Sequence, residues 1–371
     1  MQTGKLGVYL SKIAPWAIIA GLLIVSRIEP APVGKPVQIP PIGERDRYYG
    51  IQVPEPGVLW MVGNGGKIIR SEDDGVTWKI QETPSDLNLM SVAAWDKNDA
   101  VAVGNMGIVL VTRDGGQTWE KRDIPLSNVA DKLIRVRIIP GTDKAIAVGI
   151  MGKVLLTENR GDTWEQQYFY YDWSFFEERF NDIAGGVQRV NQDVIRRYRF
   201  ERDITLQDIA ILGECEWMVV GEFGNAIHTK DCGYNWREIR PAYDTINSVK
   251  FRDRDHGVAV GGSATILVTE DGGNNWEQME PKGDAVVTHL YDVEWDAKNQ
   301  AWIATGEGGV SVKSDASAQN WAAELFDPNK SPWFVDLEVS DGKFYVCGED
   351  VGVWTVSSGE WVDLPRKESH F

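Results

Sequence analysis

Short apolar runs separated by polar turns recur along most of this chain, and residues 87–125 show the unit clearly. Leu89, Val92 and their apolar neighbours predict a first strand, followed by the polar turn Asp96-Lys97-Asn98-Asp99. Residues 100–103 predict a second strand, 104–107 a tight turn, and 108–112 a third strand rich in β-branched residues. Asp114-Gly115-Gly116 is a strong hairpin signal, and 118–122 give the fourth strand. Four short antiparallel strands in roughly 40 to 45 residues describe one blade of a β-propeller.

The unit repeats. An eight-residue phrase reads SEDDGVTW at 71–78, TRDGGQTW at 112–119, TENRGDTW at 157–164, TKDCGYNW at 229–236 and TEDGGNNW at 269–276. SDASAQNW at 314–321 and the shortened TVSSGEW at 355–361 are worn copies. Ahead of these phrases stand VGNGG from Val62, VGNMG from Val103, VGIMG from Val148 and VGEFG from Val220. VGGSA from Val260, TGEGG from Thr305 and CGEDV from Cys347 are weaker. Seven copies predict seven blades, with first strands near 46–53, 87–95, 131–139, 205–212, 245–252, 287–295 and 333–340. The last blade has residues for all four of its strands, so a closing strand from residues 37–39 is not required.

The octapeptide suits the turn between third and fourth strands. Its Asp can accept hydrogen bonds from turn N–H groups, its Gly supplies a positive φ, and its Trp is a large apolar plate for the neighbouring blade. This makes Asp73, Gly75, Trp78, Asp114, Gly116, Trp119, Gly161, Trp164, Asp231, Gly233, Trp236, Asp271, Gly273 and Trp276 structural residues rather than catalytic ones.

The octapeptide resembles the BNR or Asp-box repeat of sialidases, sortilin-type receptors and some glucanases. The fuller pattern, VG-x-x-G followed by T-x-D-x-G-x-T-W, is similar to the photosystem II stability and assembly factor-like family, over about residues 46–365. That resemblance implies a seven-bladed propeller that binds membrane proteins, with no catalytic residues to carry over. In photosynthetic hosts it implies photosystem assembly. In other bacteria the expected partner is a large inner-membrane transporter, for instance of the resistance-nodulation-division type.

Residues 13–25 carry no charge and follow Lys5 and Lys12; counting from 6 to 28 gives a stretch long enough to span a bilayer. The rival is a cleaved signal peptide, but no small-x-small site follows the apolar run. Residues 1–28 are therefore expected to be a short cytoplasmic N-terminus and a single-pass signal anchor in the inner membrane. The flanking positive charges place the propeller on the periplasmic side. Residues 29–45, with Pro30, Pro32, Pro36, Pro40 and Pro41, form a short linker; residues 366–371 are a tail.

Net charge is −17, from 38 basic and 55 acidic side chains, which argues against nucleic acid and against direct contact with anionic lipid headgroups. The expected membrane contact is therefore through the N-terminal helix. Of three cysteines, Cys347 stands where other repeats carry Val and reads as a core hydrophobe. Cys215 and Cys232 fall on turns at the same end of the fourth blade, where either a disulfide or two thiols can be accommodated. His228, His256, His289 and His370 are scattered without metal spacing, and no cofactor is expected. A carboxylate pair for glycoside hydrolysis is the enzymatic alternative, which makes a glycan-processing or glycan-binding propeller the second reading.

The spacing of closing tryptophans is 41, 45, 72, 40, 45 and 40 residues, so an insertion lies between the third and fourth blades. Trp173, Phe176, Phe180, Ile183, Val187, Val190, Val194 and Tyr198 recur at helical spacing, and Gly185-Gly186 divides the stripe. Residues 168–203 are thus expected to form a helical hairpin. Trp173, Phe175, Phe176, Phe180, Arg196 and Arg197 are the candidate partner-binding residues. The reading is an all-β, seven-bladed propeller with an N-terminal transmembrane helix and a helical insertion. It is expected to bind and stabilise or assemble an integral membrane protein complex without catalysis.

Overall fold

A computed structural model describes residues 41–125, 131–167, 204–283, 285–355 and 358–364. The segments expected to form the N-terminal helix and the 168–203 hairpin, with its six candidate residues, and most of the expected linker lie outside the described residues. No helix among the described residues is long and apolar enough to cross a membrane.

Seven separate antiparallel sheets form, each from four consecutive strands. The first strands are Tyr48–Glu55, Leu89–Ala94, Leu133–Ile138, Leu206–Gly213, Ile246–Phe251, Leu290–Asp296 and Phe334–Ser340. Each lies against the first strand of the next blade, and the seventh lies against the first, so these strands form a closed ring about the axis. The seven-bladed propeller is therefore observed, with blade seven owning all four of its strands. One addition was not foreseen: the link Pro281–Gly283 pairs in parallel with Trp321–Leu325, giving blade six a fifth strand at its outer edge.

Packing follows the repeat. Second strands such as Ala100–Gly104 are buried along their whole length, or in blades four, six and seven at all but the first residue, because each has a blade on either side. The cores lie between blades rather than within one centre, as seven clusters each built from two neighbours. Trp119 of blade two shows the arrangement. It is buried with Val58, Trp60 and Val62 of blade one, its ring edge-to-face with Trp60 at 5.3 Å.

Among the described residues the ring closes without strand exchange. Blade seven meets blade one through Tyr345, Cys347 and Val351 packed on Leu59, Met61 and Trp78, and Ile42 is buried in the same cluster. Asp74 accepts from Tyr345 Oη at 3.0 Å and pairs with Lys343 at 3.0 Å across the seam.

Candidate interaction face and central axis

The two repeated phrases build the two faces. In the Asp-box turn, Thr112 Oγ1 donates to Asp114 Oδ1 at 2.9 Å and accepts from Gly116 N–H at 2.9 Å. Asp114 in turn accepts from Thr118 N–H at 2.9 Å. The same bonds recur around Asp73, Asp231 and Asp271, and Asn159 takes the Asp position in blade three. Trp78, Trp164, Trp236 and Trp276 each donate from the indole N–H to the carbonyl of the box glycine. Trp119 departs from this and donates to Gln81 Oε1 of blade one at 2.9 Å. Burial opposes ionisation of Asp114, but hydrogen bonds from Thr118 and Thr112 outweigh it and hold the carboxyl below its ordinary value. These carboxylates accept hydrogen bonds from the residues of their own turns.

The disulfide forms: Cys215, in the turn between the first two strands of blade four, is bonded to Cys232 of the Asp box. Cys347 is a free, buried cysteine. His256 is exposed, with Nδ1 2.8 Å from Asp253.

The opposite face carries the VG-x-x-G turns and the links between blades. A Cβ on the phrase's first glycine would meet the carbonyl oxygen leading into the first strand, at 2.1 Å for Gly104 and 1.9 Å for Gly306 and Gly348. That close approach requires glycine. It lets the next residue donate to the same carbonyl, as Asn105 N–H does to Asn88 O at 2.9 Å. The last residue before blade four is tied into this face too, since Ile204 O accepts from Gly152 N–H at 2.8 Å. Ile204 thus lies beside the Met151 turn. Among the described residues, Met106, Met151, Phe223, Tyr243, Val286 and Trp333 are large apolar side chains left exposed on these turns and links.

The axis holds what sequence reasoning missed. Each first strand carries a bulge after its first buried residue, as between Leu290 and Asp292 or Phe334 and Asp336. The residue that follows belongs to an inner ring: Gly50, Ser91, Arg135, Asp208, Ser248, Asp292 and Asp336. Several of these reach across to a backbone N–H of the next blade. Asp336 accepts from Ile51 at 2.7 Å, Asp208 from Val249 at 3.2 Å, and Asp292 from Leu337 at 2.9 Å. Arg135 lies among the carboxylates, 3.3 Å from Asp208 and hydrogen-bonded to Asp336. One layer further along, Arg137 meets Asp208 at 3.2 Å and Glu338 at 3.8 Å, and Lys250 meets Glu294 at 2.6 Å.

These eight charged side chains seal the axis with five carboxylates against three cations. The imbalance appears as proton affinity. Burial, reinforced by Asp336, pushes Asp292 up to about 7. Burial and then Glu294 push Glu338 up to about 8. Glu294 is raised as well, burial outweighing Lys250. Asp208 moves the other way, because Arg137 and Arg135 overcome its burial. Two retained protons would leave the plug neutral. A signal existed in the sequence: aligning the seven first strands gives two columns of small or polar residues, two positions apart, with an apolar column between them.

Among the described residues no group of His, Cys, Asp or Glu has the spacing to hold a metal. A polar surface cleft of about 820 Å³ lies between the outer strands of blades one and two, lined by Arg70, Lys79, Lys97, Glu72, Glu82 and Gln117. Arg70 in it is already bonded to Glu72 and to Lys97 O.

The family model described as "Photosynthesis system II assembly factor YCF48" matches residues 76–169 and 240–321. The resemblance carried by the two phrases is thereby shown. No curated protein matches the chain by sequence. Among solved structures it is similar to one titled "YCF48 bound to D1 peptide", at TM-score 0.60 and 17% identity, covering 86% of this chain and 96% of that one. It is also similar to YCF48 from Cyanidioschyzon merolae, at TM-score 0.61 and 16% identity, covering 83% and 94%. The WD40 propeller domain of Doa1 matches at TM-score 0.57 and 12% identity, covering 83% and 92%; at these identities all three likenesses show the fold alone.

Proposed function

We propose that this chain, a propeller of the photosystem II assembly-factor-like kind, is a non-catalytic scaffold that binds and helps assemble an integral membrane protein complex. The observation that carries the reading is the distribution of its side chains. Carboxylates at the axis are buried under backbone N–H and guanidinium groups, whereas six of the eleven large apolar side chains exposed among the described residues stand on the turn-and-link face. Glycoside hydrolysis needs two carboxyls flanking an open cleft, and the axial carboxyls are sealed in. A propeller of the same fold has been solved bound to a D1 peptide, so a peptide segment of the partner is the form of ligand we infer.

The finer parts of the proposal concern place and partner. The charge-free run at 13–25 supports an uncleaved anchor in the inner membrane. The Cys215–Cys232 disulfide supports a propeller on the oxidising, periplasmic side. In a non-photosynthetic host, a transporter of the resistance-nodulation-division type is the proposed partner. The 168–203 insertion, through Trp173, Phe175, Phe176, Phe180, Arg196 and Arg197, is proposed to add to the contact, since Ile204, which follows it in sequence, is on the turn face.

Affinity purification from gently solubilised membranes, with mass spectrometry, tests the scaffold reading. Enrichment of one integral membrane complex is expected, and recovery of the protein alone would defeat it. Replacing 168–203 by a short Gly/Ser link is expected to leave thermal stability nearly unchanged, since loop length changes closure entropy slowly. The yield of the complex should fall. Full yield would remove the insertion from the binding surface.

A further inference from the structure

In six blades the turn after the second strand holds two successive residues with positive φ: Gly65 and Gly66, Met106 and Gly107, Met151 and Gly152, Phe223 and Gly224, Ser263 and Ala264, Gly308 and Gly309. At the second position of blades one and four space is absent, because a Cβ on Gly66 or Gly224 would lie 1.9 Å from a carbonyl of the following link. The first position is different. A Cβ on Gly65 or Gly308 would have nothing within 4 Å, so no packing calls for a side chain there. Yet blades two, three and four place Met106, Met151 and Phe223 at φ values of 54°, 57° and 58°, a conformation that side-chain-bearing residues resist.

The strain has no internal compensation. On the Asp-box face, other non-glycine residues with positive φ are held by partners: Asp74 by Lys343 and Tyr345, Arg160 by Asp99 and Asp143, Cys232 by its disulfide. Met106, Met151 and Phe223 end in solvent instead, 59%, 41% and 64% exposed. They occupy consecutive blades, and Tyr243, 98% exposed on the next link, extends the series. Strain retained at side chains that do nothing for the fold points to a use outside it. Methionine adapts to irregular apolar partners, and Phe and Tyr are frequent anchors of interfaces. The links on either side carry exposed carboxylates, Asp86 and Asp244, in a chain whose net charge is −17.

We propose that Met106, Met151, Phe223 and Tyr243 form an arc on the turn face that docks a short apolar segment of a membrane protein bearing basic residues at its ends. This rests on the scaffold reading and says where and through what chemistry the scaffold grips. The apolar stretch covers the arc, and its basic flanks meet Asp86 and Asp244. A bilayer with anionic headgroups fits less well, because the acidic domain would be repelled by it.

The test uses the full-length protein in mild detergent and a fluorescent Leu/Phe peptide with a pair of lysines at each end. The triple variant Met106→Gly, Met151→Gly, Phe223→Gly gives those turns the residue found in blades one and six. Its melting temperature should equal or exceed that of the wild type, while affinity for the peptide falls about tenfold or more. Replacing the flanking lysines by glutamates should weaken binding to the wild type. Unchanged affinity in the triple variant overturns the proposal, as does a marked drop in its melting temperature, which would make the side chains structural. Two further outcomes also overturn it. One is equal binding of the glutamate peptide. The other is a wild-type-only affinity for phosphatidylcholine vesicles, or for a second copy of the chain, without peptide binding. Co-purification separates this from the broader reading. A triple variant that retains the membrane complex at full yield removes the arc and leaves the scaffold standing. A wild type that captures nothing removes the scaffold, and the peptide measurement then judges the arc alone.

Discussion

At the scale of single residues, the repeated phrases are answers to local constraints. The box Trp fills the gap to the preceding blade, and truncating it leaves a cavity that two sheets cannot close. Trp119→Ala should cost roughly 3–5 kcal/mol, read as a lowered denaturant midpoint; wild-type stability together with a lost activity would contradict a packing role. The glycine of VG is fixed by space rather than by φ. Gly104→Ala would put a methyl 2.1 Å from Asn88 O, so the backbones of strand and link must separate. A loss of about 3 kcal/mol is expected in the same denaturation experiment. At the first position of the turn glycine is optional, and Met106, Met151 and Phe223 take it up at a conformational cost of about 1–2 kcal/mol each.

At the scale of the blade, each sheet is too small to be stable alone and is stabilised by its neighbours. Blade four has an additional constraint, the bond between Cys215 and Cys232, which closes a loop with a sequence separation of 17. Cys215→Ser should lower stability by roughly 2–4 kcal/mol. Reductant should lower the wild type to a similar level and leave the variant unaffected; a variant as stable as the oxidised wild type would show that the crosslink adds nothing. Blade six differs in another way, because its edge strand Trp321–Leu325 is covered by Pro281–Gly283, which protects an edge that no described strand covers in the other blades.

At the scale of the whole ring, the charged axis couples stability to pH. Asp292 and Glu338 are raised above the ordinary carboxyl range, to about 7 and about 8. Their contribution is therefore fully present below about pH 4 and lost as pH rises through about 7 to 8. The box aspartates Asp73, Asp114, Asp231 and Asp271 are lowered, so their contribution is present above their ordinary value of 3.8 and lost as pH falls below it. Stability should thus be greatest near about pH 4 to 5, decline as pH rises to about 8, and level off above that. Asp292→Asn keeps the shape and removes one titration, so it should flatten that decline. Thermal melts across this range check both statements, and a wild type that gains stability towards pH 9 would reverse the assignment.

The repeat itself determined the blade count and the strand order and located the box turns, because each is a local consequence of spacing: an Asp four residues from the N–H it binds, a Trp three residues from the carbonyl most of them donate to. Cys215 and Cys232 were readable as neighbours for the same reason, since both lie on turns at one end of one blade. Whether they bond depended on how those turns are set by the sheet. The axial cluster was decided only by tertiary structure. Arg135 and Asp336 are 201 positions apart, and no period in the chain says that one ring will set a guanidinium among three carboxylates. The arc on the turn face stands between these cases. Met106, Met151 and Phe223 are visible in the VG-x-x-G phrases, but their positive φ and exposure appear only when the turn is built. A side chain's cost to the backbone is a property of the folded turn, and the sequence records only that the residue was accepted there.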